Sequence, residues 1–486
     1  MKNRLDAVRA ADRALSEHPS FGDSPKILSR VLARYRFGLE LFAERLPSLR
    51  PTAAAVEKLG DADARRIFFD PLVRLALEQA FSDLEAGRLA PRHPLEDVLP
   101  GALEVLPLGL CESRMPSRWQ VGTQGVRKWL WDVARPTDSY ARALHAAFDG
   151  VFGANPKSSG TLLSPDAAAH RQVEDALELL STLLPHSGAT ALTHIEAIAL
   201  LSAKLEGGTV LSAAGGDLTP STIFLSLKDL GNVWDIAGCL LHEGLHMKLF
   251  DATRAVSLAT EPNETIQVPW RDVRWSIVRT VFAYHVYVHL SLFKAAALTA
   301  DRSLTERFGD PSAYATRAHA MSVVANDGGS RFGRSIDRAR YLGERLRNAW
   351  AHLLTPQGRD FVHWLSDSLA PVDREVFGPP GHKDTPDLGR AVFRKASGLR
   401  ARPAKEGECL MVFSPGAPRL HWLDLNAWLI FELSDGRTFA ELERAYLEVV
   451  GGRMEPDQAS RQLRSGLEAL VGSTLVEPTW QQGGAA

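Results

Sequence analysis

The chain contains 486 residues, of which 45% are hydrophobic, and this length suits roughly two to four domains with buried cores. Its 56 Lys and Arg residues balance 58 Asp and Glu residues, which argues against nucleic-acid binding because such proteins usually carry a basic surface. The three cysteines, Cys111, Cys239 and Cys409, are far apart in sequence, so they predict no disulfide framework and favour a reducing cytoplasm.

The sequence predicts neither a secretory signal nor a membrane span. Its N-terminal segment, MKNRLDAVRAADRALSEHPS, is polar and lacks the apolar stretch of a signal peptide. No uninterrupted apolar run approaches the ~18 residues that a membrane-spanning helix requires. We therefore expect a cytoplasmic protein that does not enter a membrane.

Residues 1 to about 200 are predicted to be mostly helical. Segments 66–87, 139–153 and 170–185 carry apolar residues at three- and four-residue steps, the spacing of a helix with one buried face. Proline- and glycine-containing stretches separate these segments and indicate loops.

The middle of the chain predicts one strand among long helices. STIFLSL, 221–227, is short, apolar and β-branched, which is typical of a buried strand. A long helix is predicted over 229–252, and the strongly apolar segment 277–298 predicts a second, largely buried helix. Further helices are predicted over 306–325 and 337–354.

The C-terminal part predicts a separate small module. The proline- and glycine-rich sequence at 377–390 indicates a change of domain, so we assign 1–376 to a catalytic domain, 377–404 to a linker and 405–480 to the module. ECLMVF and PRLHWLD predict two short strands, followed by three helices and a last strand, VEPTW.

The sequence CLLHEGLHMKLF contains the strongest chemical signal in the chain. His242 and His246 are four residues apart, so on a helix both side chains lie on one face and can bind one metal ion. Glu243 lies beside them, where a hydrolase would use it as the general base for a metal-bound water. A chance match to this short pattern is the alternative, and the preceding strand favours the metal site.

The third metal ligand is less determined by the sequence. His285 and His289 are four residues apart on the next predicted helix, and Glu264 lies in the intervening loop. We expect His285, then His289, then Glu264, although a hydrogen-bonded core histidine is an equally good interpretation of each histidine alone. Asp235, seven residues before His242, is a candidate partner for a metal ligand or a solvent-facing carboxylate.

Three arginines lie between the metal helix and the candidate third ligand. PWRDVRWSIVR contains Arg271, Arg274 and Arg279, and arginine binds carboxylates through two parallel hydrogen bonds. The segment is therefore a candidate site for an acidic cosubstrate, with ordinary surface ion pairing as the alternative.

The strand ending in Ser226, the HExxH helix and the P-W-R-x-x-R segment together resemble the HExxH-type peptide β-hydroxylases, which modify ribosomally made precursor peptides (RiPPs). The resemblance covers roughly residues 60 to 360 and is strongest from 221 to 290. It implies a dioxygenase that uses Fe(II) and 2-oxoglutarate. It further implies a cosubstrate site that includes Ser226 and the arginines, and a strand that aligns the core peptide at Phe224 and Leu225.

This chain departs from the family pattern at one position. In the family a histidine often follows the arginine segment, about where this chain has Arg279. The resemblance therefore leaves the third ligand open, and Arg279 becomes a candidate partner for the cosubstrate instead.

The C-terminal module is similar to the PqqD-like recognition elements that bind the leader of a precursor peptide. The matching features are LNAWLIFELSDG, the T-x-x-E-L helix start and the final L-x-x-L-V. The resemblance implies that the leader adds a strand beside the small sheet, in contact with Leu420, Trp422 and Leu423. Tethering would raise the effective concentration of the core peptide at the metal.

We therefore expect a mainly α (α+β) protein: a large helical catalytic domain with a short zincin-like strand region, and a winged-helix-like C-terminal module. The expected activity is hydroxylation of a side-chain β-carbon in a precursor peptide. One alternative is a cytosolic zinc peptidase with Glu243 as general base, and another is a peptide-binding scaffold without catalysis.

Overall fold

The computed structural model describes residues 2–89, 92–106, 120–122, 127–132, 142, 145–146, 148–150, 158–205, 208–210, 212–216, 218–227, 230, 232–270, 274–311, 332, 334–378, 391–404, 409–414, 419–451, 454–472 and 475–480. The chain divides into two compact units. The first comprises Met1–Ile266, Trp275–Val324 and Arg338–Phe377, and the second Gln267–Arg274, Ala325–Asp337 and Gly378–Ala486.

The protein is mainly helical, as the sequence predicts. The described α-helices before residue 377 are α1 Lys2–Glu17, α2 Ser24–Arg45, α3 Arg50–Glu57, α4 Asp61–Phe68, α5 Pro71–Glu85, α6 Leu95–Glu104, α7 Ala167–Leu183, α8 Ser187–Leu192, α9 Val233–Thr253, α10 Ile277–Leu298, α11 Arg302–Phe308, α12 Ser335–Arg347 and α13 Pro356–Val372.

The predicted helix over 66–87 is in fact parts of two helices. α4 ends at Phe68, and α5 begins at Pro71, where the missing proline N–H costs nothing because the first helical N–H groups have no partner within the helix. The carboxylate of Asp70 caps α5 by accepting a hydrogen bond from the N–H of Leu72.

A seven-stranded sheet begins in the part of the chain, residues 1 to about 200, that was predicted to be mostly helical, and it ends with the predicted strand at 221–227. Its strands are β1 Gln120–Val121, β2 Lys128–Leu130, β3 Ser158–Leu163, β4 Ala197–Leu205, β5 Gly208–Val210, β6 Ser212–Ala214 and β7 Thr222–Leu225. The sequence analysis assigned no strand to β4, whose sequence AIALLSAKL is a short apolar run, and such a run does not distinguish a buried strand from a buried helix.

The order of strands determines which of them has a free edge. The main path is β1-β2-β4-β7-β6, and β3 and β5 pair with the C-terminal half of β4. β7 is the predicted strand, and it is parallel to β4 on one side and antiparallel to β6 on the other. Among the described strands, β6 therefore has pairing on one side only.

The two helices that follow the sheet form the core around the candidate site. Asn232 caps α9 and Ser276 caps α10, each by accepting from a backbone N–H three residues on. A short ladder of β8 Thr265–Ile266 with β9 Trp275–Ser276 precedes α10. By length and composition α10 could cross a membrane, but 89% of its most apolar stretch is buried inside the structure, as in a core helix.

The second unit contains two small sheets and three helices. Its strands are β10 Ala391–Lys395, β11 Arg400–Ala404, β12 Cys409–Ser414, β13 Arg419–Asp424, β14 Asp435–Thr438 and β15 Val476–Trp480, and its helices are α14 Leu425–Leu433, α15 Phe439–Val450 and α16 Pro456–Gly472. The sheet orders are β11-β12-β13 and β14-β10-β15.

The predicted linker over 377–404 is partly wrong. Its last residues form β10 and β11, which belong to the two sheets of the second unit. Ala391 and Phe393 are fully buried in the core of that unit, so they are part of the module. The strands at 409–414, 419–424 and 476–480 and the three helices agree with the sequence prediction.

Candidate metal site

His242 and His246 converge on one point from the same face of α9. Their Nε2 atoms are 3.1 Å apart, and their ring centroids are 4.8 Å apart. One ion with metal–nitrogen bonds of about 2.1 Å could reach both atoms, so the two donors fit a divalent ion such as Zn²⁺ or Fe²⁺. Both histidines are partly exposed, which leaves room for further ligands.

Glu243 lies next to the pair but is buried, with 2% of its surface exposed. Its Oε1 is 3.9 Å from Nε2 of His242 and accepts a hydrogen bond of 2.7 Å from Oγ of Ser212 on β6. Burial raises the pKa of Glu243 to about 7, and the Ser212 hydrogen bond opposes that rise. The carboxyl group is therefore close to half-protonated at neutral pH.

Cys239 lies one helical turn before Glu243. Its thiol, like the carboxyl group of Glu243, forms a hydrogen bond with the side chain of Ser212. Its thiol is buried, and burial, followed by the charge of Glu243, raises the pKa of the thiol to about 12. Because the thiolate form is the metal ligand and the reactive form of cysteine, Cys239 stays an inert thiol at neutral pH. Sequence reasoning missed both Ser212 and Cys239; only the four-residue spacing of Cys239 from Glu243 was a usable signal.

The predicted third ligand does not join this cluster. Within the described residues, one group of three or more His, Cys and acidic residues has ligand atoms that all lie within 4.8 Å of one another, and it consists of His242, Glu243 and His246. His285 is instead 1% exposed, and its ring lies 5.6 Å from the ring of Phe361 and 6.4 Å from that of Trp364 on α13. The structure therefore gives the prediction of His285 as a ligand no support.

The other candidate ligands also lie elsewhere. His289 is fully buried, and its Nδ1–H donates to the carbonyl of His285. Glu264 is exposed, and its carbonyl accepts from the N–H of Ile277. Asp235 is buried in the first turn of α9, where its N–H donates to Asn232, so it is not a solvent-facing carboxylate.

The three candidate arginines have different positions. Arg271 lies outside the described residues, and Arg274 is an exposed residue of the second unit. Arg279 is on the first turn of α10, with its guanidinium 5.0 Å from the ring centroid of Trp275. Burial lowers the pKa of His246 to about 4, and the positive charge of Arg279 adds to this effect. Among the described arginines of this segment, Arg279 is thus the one whose charge acts on His246.

The residues predicted to align the core peptide are in the protein interior. Phe224 and Leu225 are at most 1% exposed and Ser226 is fully buried. β7, which carries the first two, has a strand on each side, so it cannot pair with a peptide. The prediction gave β7 a free edge, because the sequence does not show that the short segment Ser212–Ala214 pairs with it.

The predicted leader-binding residues separate onto the two faces of β13. Leu420 and Trp422 are 51% and 57% exposed, and they pair with Phe413 and Met411 of β12 on the outer face. Leu423 points the other way and is buried in the core of the unit, so it does not offer its side chain to a peptide. This alternation follows from the two-residue period of a strand.

A buried polar network, which the sequence did not predict, holds the C-terminal half of α9. Asp251 Oδ2 lies 2.6 Å from Nδ1 of His194, and Nε2 of His194 lies 2.9 Å from Oγ of Ser24. Asp251 also forms ion pairs with Arg74 and Arg254. Burial alone would raise the pKa of Asp251, but these cationic and hydrogen-bonding partners hold it well below its usual value.

The hydrogen-bonded chain Ser24–His194–Asp251 contains the residue types of a serine-hydrolase triad, but its role here is to stabilise the fold. The three residues are at most 2% exposed, and the hydroxyl of Ser24 donates to the carbonyl of Thr190. A substrate therefore has no access to the hydroxyl, whereas a nucleophilic serine must reach a carbonyl carbon. The network instead connects α2 and α5 to the helix that carries the histidine pair.

No known protein-family model matches the chain, and no curated protein matches it.

Proposed function

We propose that the chain is a metal-dependent peptide hydroxylase that acts on a ribosomal precursor peptide in the cytoplasm with Fe(II), 2-oxoglutarate and O2. The observation that carries this proposal is the convergence of the His242 and His246 Nε2 atoms, 3.1 Å apart, beside a buried carboxyl group. The net reaction is R–H + 2-oxoglutarate + O2 → R–OH + succinate + CO2, which balances without another reductant.

His242 and His246 would hold the iron, because imidazole nitrogens are suitable ligands for Fe(II). The bound iron would supply the oxidising chemistry. A third protein ligand is not needed to explain the geometry of this pair. Burial raises the pKa of Glu243 to about 7, so its carboxyl group has both protonation forms within reach near neutral pH, and Ser212 fixes its orientation by donating a hydrogen bond to Oε1. The carboxyl group can therefore orient a ligand or a substrate amide at the site by donating or accepting a hydrogen bond.

Arg279 is the best candidate to bind the distal carboxylate of 2-oxoglutarate. It is exposed, it lies on the first turn of α10, and its charge affects His246. A guanidinium binds a carboxylate through two parallel hydrogen bonds, so it both attracts and orients a dicarboxylic acid. Arg274 and Arg271 remain alternatives.

The peptide would align along β6 instead of β7. β6 contributes Ser212, the partner of Glu243, and among the described strands it pairs with β7 alone. An extended peptide added to this edge would satisfy the remaining backbone groups of β6 and would run beside Glu243.

The second unit would bind the leader as an added strand beside β13. Among the described strands, β13 pairs with β12 only. The exposed side chains of Leu420 and Trp422 would contact apolar side chains on the same face of the added leader strand. Three helices, α14, α15 and α16, follow this three-stranded sheet along the chain.

The first experiment is intact-mass spectrometry of a precursor peptide encoded next to this gene. The protein is loaded anaerobically with Fe(II), given 2-oxoglutarate and exposed to air, with His242→Ala as the matched variant. We expect a gain of one oxygen (about 16 Da) that requires iron, 2-oxoglutarate and air, as the reaction balance dictates. No mass change under any of these conditions, with a folded and metal-loaded protein, would contradict the proposal.

The cosubstrate assignment is tested separately by calorimetry of 2-oxoglutarate binding to the Zn(II)-loaded protein, which cannot turn over. Arg279→Met should weaken binding by about tenfold or more, since it removes a charge-assisted bidentate contact. Arg274→Met is the matched control and should change the affinity little. The reverse result would transfer the role to Arg274.

The leader assignment is tested by fluorescence anisotropy of a labelled leader peptide. Trp422→Asp should weaken leader binding by about tenfold or more, because exposed aromatic residues contribute strongly to interfaces. Phe37→Asp is the matched control, since Phe37 is also 60% exposed but lies in the first unit. Equal affinities of the two variants would remove the outer face of β13 from the proposal.

A zinc peptidase is the second candidate, and one observation favours it. Oε1 of Glu243 lies 3.9 Å from Nε2 of His242, so its carboxylate is close enough to the histidine pair to serve as general base for a water on a metal held there. In that case the Zn(II)-loaded protein should cleave the peptide, and Glu243→Gln should abolish cleavage. Peptide hydrolysis without 2-oxoglutarate or O2 would replace the hydroxylase proposal with this one.

A further inference from the structure

A cavity of about 420 Å³ lies at the C-terminal end of the metal helix. The loop after α9 forms one wall, with Val256 and Leu258 among its apolar residues. The first turns of α10 form the other wall through Val278, Val281 and Phe282. This volume is in the range of ligand-binding pockets and exceeds a packing defect, so the cavity has room for at least one large side chain.

The polar side chains that line the cavity already have partners within the protein. Nε of Arg254 lies 2.5 Å from Glu78, and its Nη1 lies 3.0 Å from Asp251, so two carboxylates balance its charge. Thr253 donates its hydroxyl hydrogen to carbonyls of α9, and Ser257 donates to the carbonyl of Ala259. The lining therefore favours a neutral, apolar occupant over an acid, because binding an acid would require breaking these pairs.

One aromatic side chain connects the cavity to the candidate metal site. Phe282 lines the cavity, and its ring stacks on the ring of His246 with centroids 6.3 Å apart. Phe282 also contacts Phe250, with ring centroids 5.2 Å apart. The cavity and the histidine pair are thus on neighbouring sides of Phe282, and an occupant of one is close to a molecule bound at the other.

From these contacts we infer that the cavity is a specificity site that binds an apolar side chain of the peptide substrate. Thr253 is seven residues after His246, which corresponds to about 10 Å along a helix. An extended peptide covers this distance in about three residues. The side chain in the cavity therefore belongs to a residue about three positions from the residue at the metal. This inference rests on the proposed peptide-modifying function.

The test is ligand-observed fluorine NMR with the metal-free, full-length protein and a model side chain, N-acetyl-para-fluorophenylalanine amide. We expect line broadening of the amide by the wild-type protein. Val278→Phe, which adds a ring at a half-buried position in the wall, should weaken binding by about tenfold or more. Leu298→Phe, an equal change at the exposed far end of α10, should leave binding unchanged.

A second cavity-filling variant and a second probe complete the test. Val256→Phe fills the cavity from the opposite wall, so it replaces Val278→Phe if that variant fails to fold. The free acid of the same probe should bind more weakly than the amide, because Arg254 is already paired. Absence of amide binding, equal binding by the cavity-filling variants, or tighter binding of the acid would each overturn the inference.

The outcomes also separate this inference from the proposed function. If the amide binds but no peptide gains mass, the cavity is retained as an apolar binding site and the hydroxylase proposal fails. If a peptide is hydroxylated, replacing an apolar residue about three positions from the modified one by Asp should raise KM about tenfold or more with little change in kcat. An unchanged KM for Asp at the three nearest positions on each side would refute the specificity role alone.

Discussion

The two helices α9 and α10 each carry two histidines four residues apart, and the comparison shows what the spacing does and does not determine. In both pairs the rings are close, with centroids 4.8 Å apart for His242 and His246 and 4.5 Å apart for His285 and His289. The first pair is partly exposed and directs its Nε2 atoms toward each other. The second pair is at most 1% exposed.

The surroundings of the second pair differ from those of the first. Aromatic rings of Phe361 and Trp364 lie beside His285, and the described residues supply no acidic or histidine ligand to complete a cluster there. Neither ring nitrogen of His285 has a hydrogen-bond partner among the described residues. Burial is the main cause that lowers the pKa of His285 well below its usual value, so the ring stays neutral. Equal spacing thus gives a candidate site in one helix and a neutral core pair in the other.

The largest expected effect is loss of metal binding from the first pair alone. His246→Ala removes one of two converging donors, so we expect metal affinity to fall by more than about 100-fold and activity to disappear. His285→Phe, at the other pair, should retain about one ion per chain. Elemental analysis of the reconstituted proteins measures both, and loss of the metal in His285→Phe would reinstate His285 as a ligand.

A second prediction concerns the network that supports the first pair. Asp251→Asn leaves the buried Arg74 and Arg254 without their common carboxylate, which should lower the free energy of unfolding by about 3–5 kcal/mol. Asp61→Asn is the control, because the ion pair of Asp61 with Arg36 is largely exposed and should contribute less than about 1 kcal/mol. Urea unfolding measures both values. Equal effects would mean that the network does not stabilise α9.

A third prediction uses the neutral state of the second pair. The unfolded chain protonates His285 below its usual pKa of 6.5, whereas the folded protein keeps it neutral. Its contribution is therefore fully present above pH 6.5 and is lost as pH falls. When the pH falls from about 7.5 to about 5, the free energy of unfolding of the wild type should therefore decrease by about 2 kcal/mol more than that of His285→Phe.

The matched control for this pH effect is His363→Phe. His363 is exposed on the adjacent helix α13, so its replacement makes the same chemical change without removing a buried ring. Chemical unfolding at the two pH values gives the comparison. Parallel profiles of His285→Phe and the wild type would show that His285 is protonated in the folded protein.

The smallest expected effect concerns Ser212. Its hydrogen bond lowers the pKa of Glu243, so Ser212→Ala should raise that pKa above about 7. Because the raised pKa makes the charged carboxylate unfavourable in the folded state, stability is lost as pH rises through about 7. Ser212→Ala should therefore destabilise the metal-free protein more at about pH 8 than at about pH 5, by about 1 kcal/mol or less. Equal destabilisation at both pH values would contradict this role.

Local patterns accounted for much of the fold near the site. The sequence predicts a long helix over 229–252, which contains α9, and the β-branched run predicts β7. The two-residue alternation of PRLHWLD likewise predicts β13. The pattern failed for β4 and for β10 and β11, because a short apolar run lacks a distinct period and a proline-rich segment resembles a linker.

The sequence by itself determined that His242 and His246 share one helix face with Glu243 beside them, because helical geometry fixes neighbours four residues apart. Only the tertiary structure decided that β6 covers β7, that Ser212 reaches Glu243, and that α13 encloses His285. These outcomes depend on contacts between segments far apart in the chain. Periodicity tells which face of an element is apolar, but packing decides which partner buries that face and how deeply.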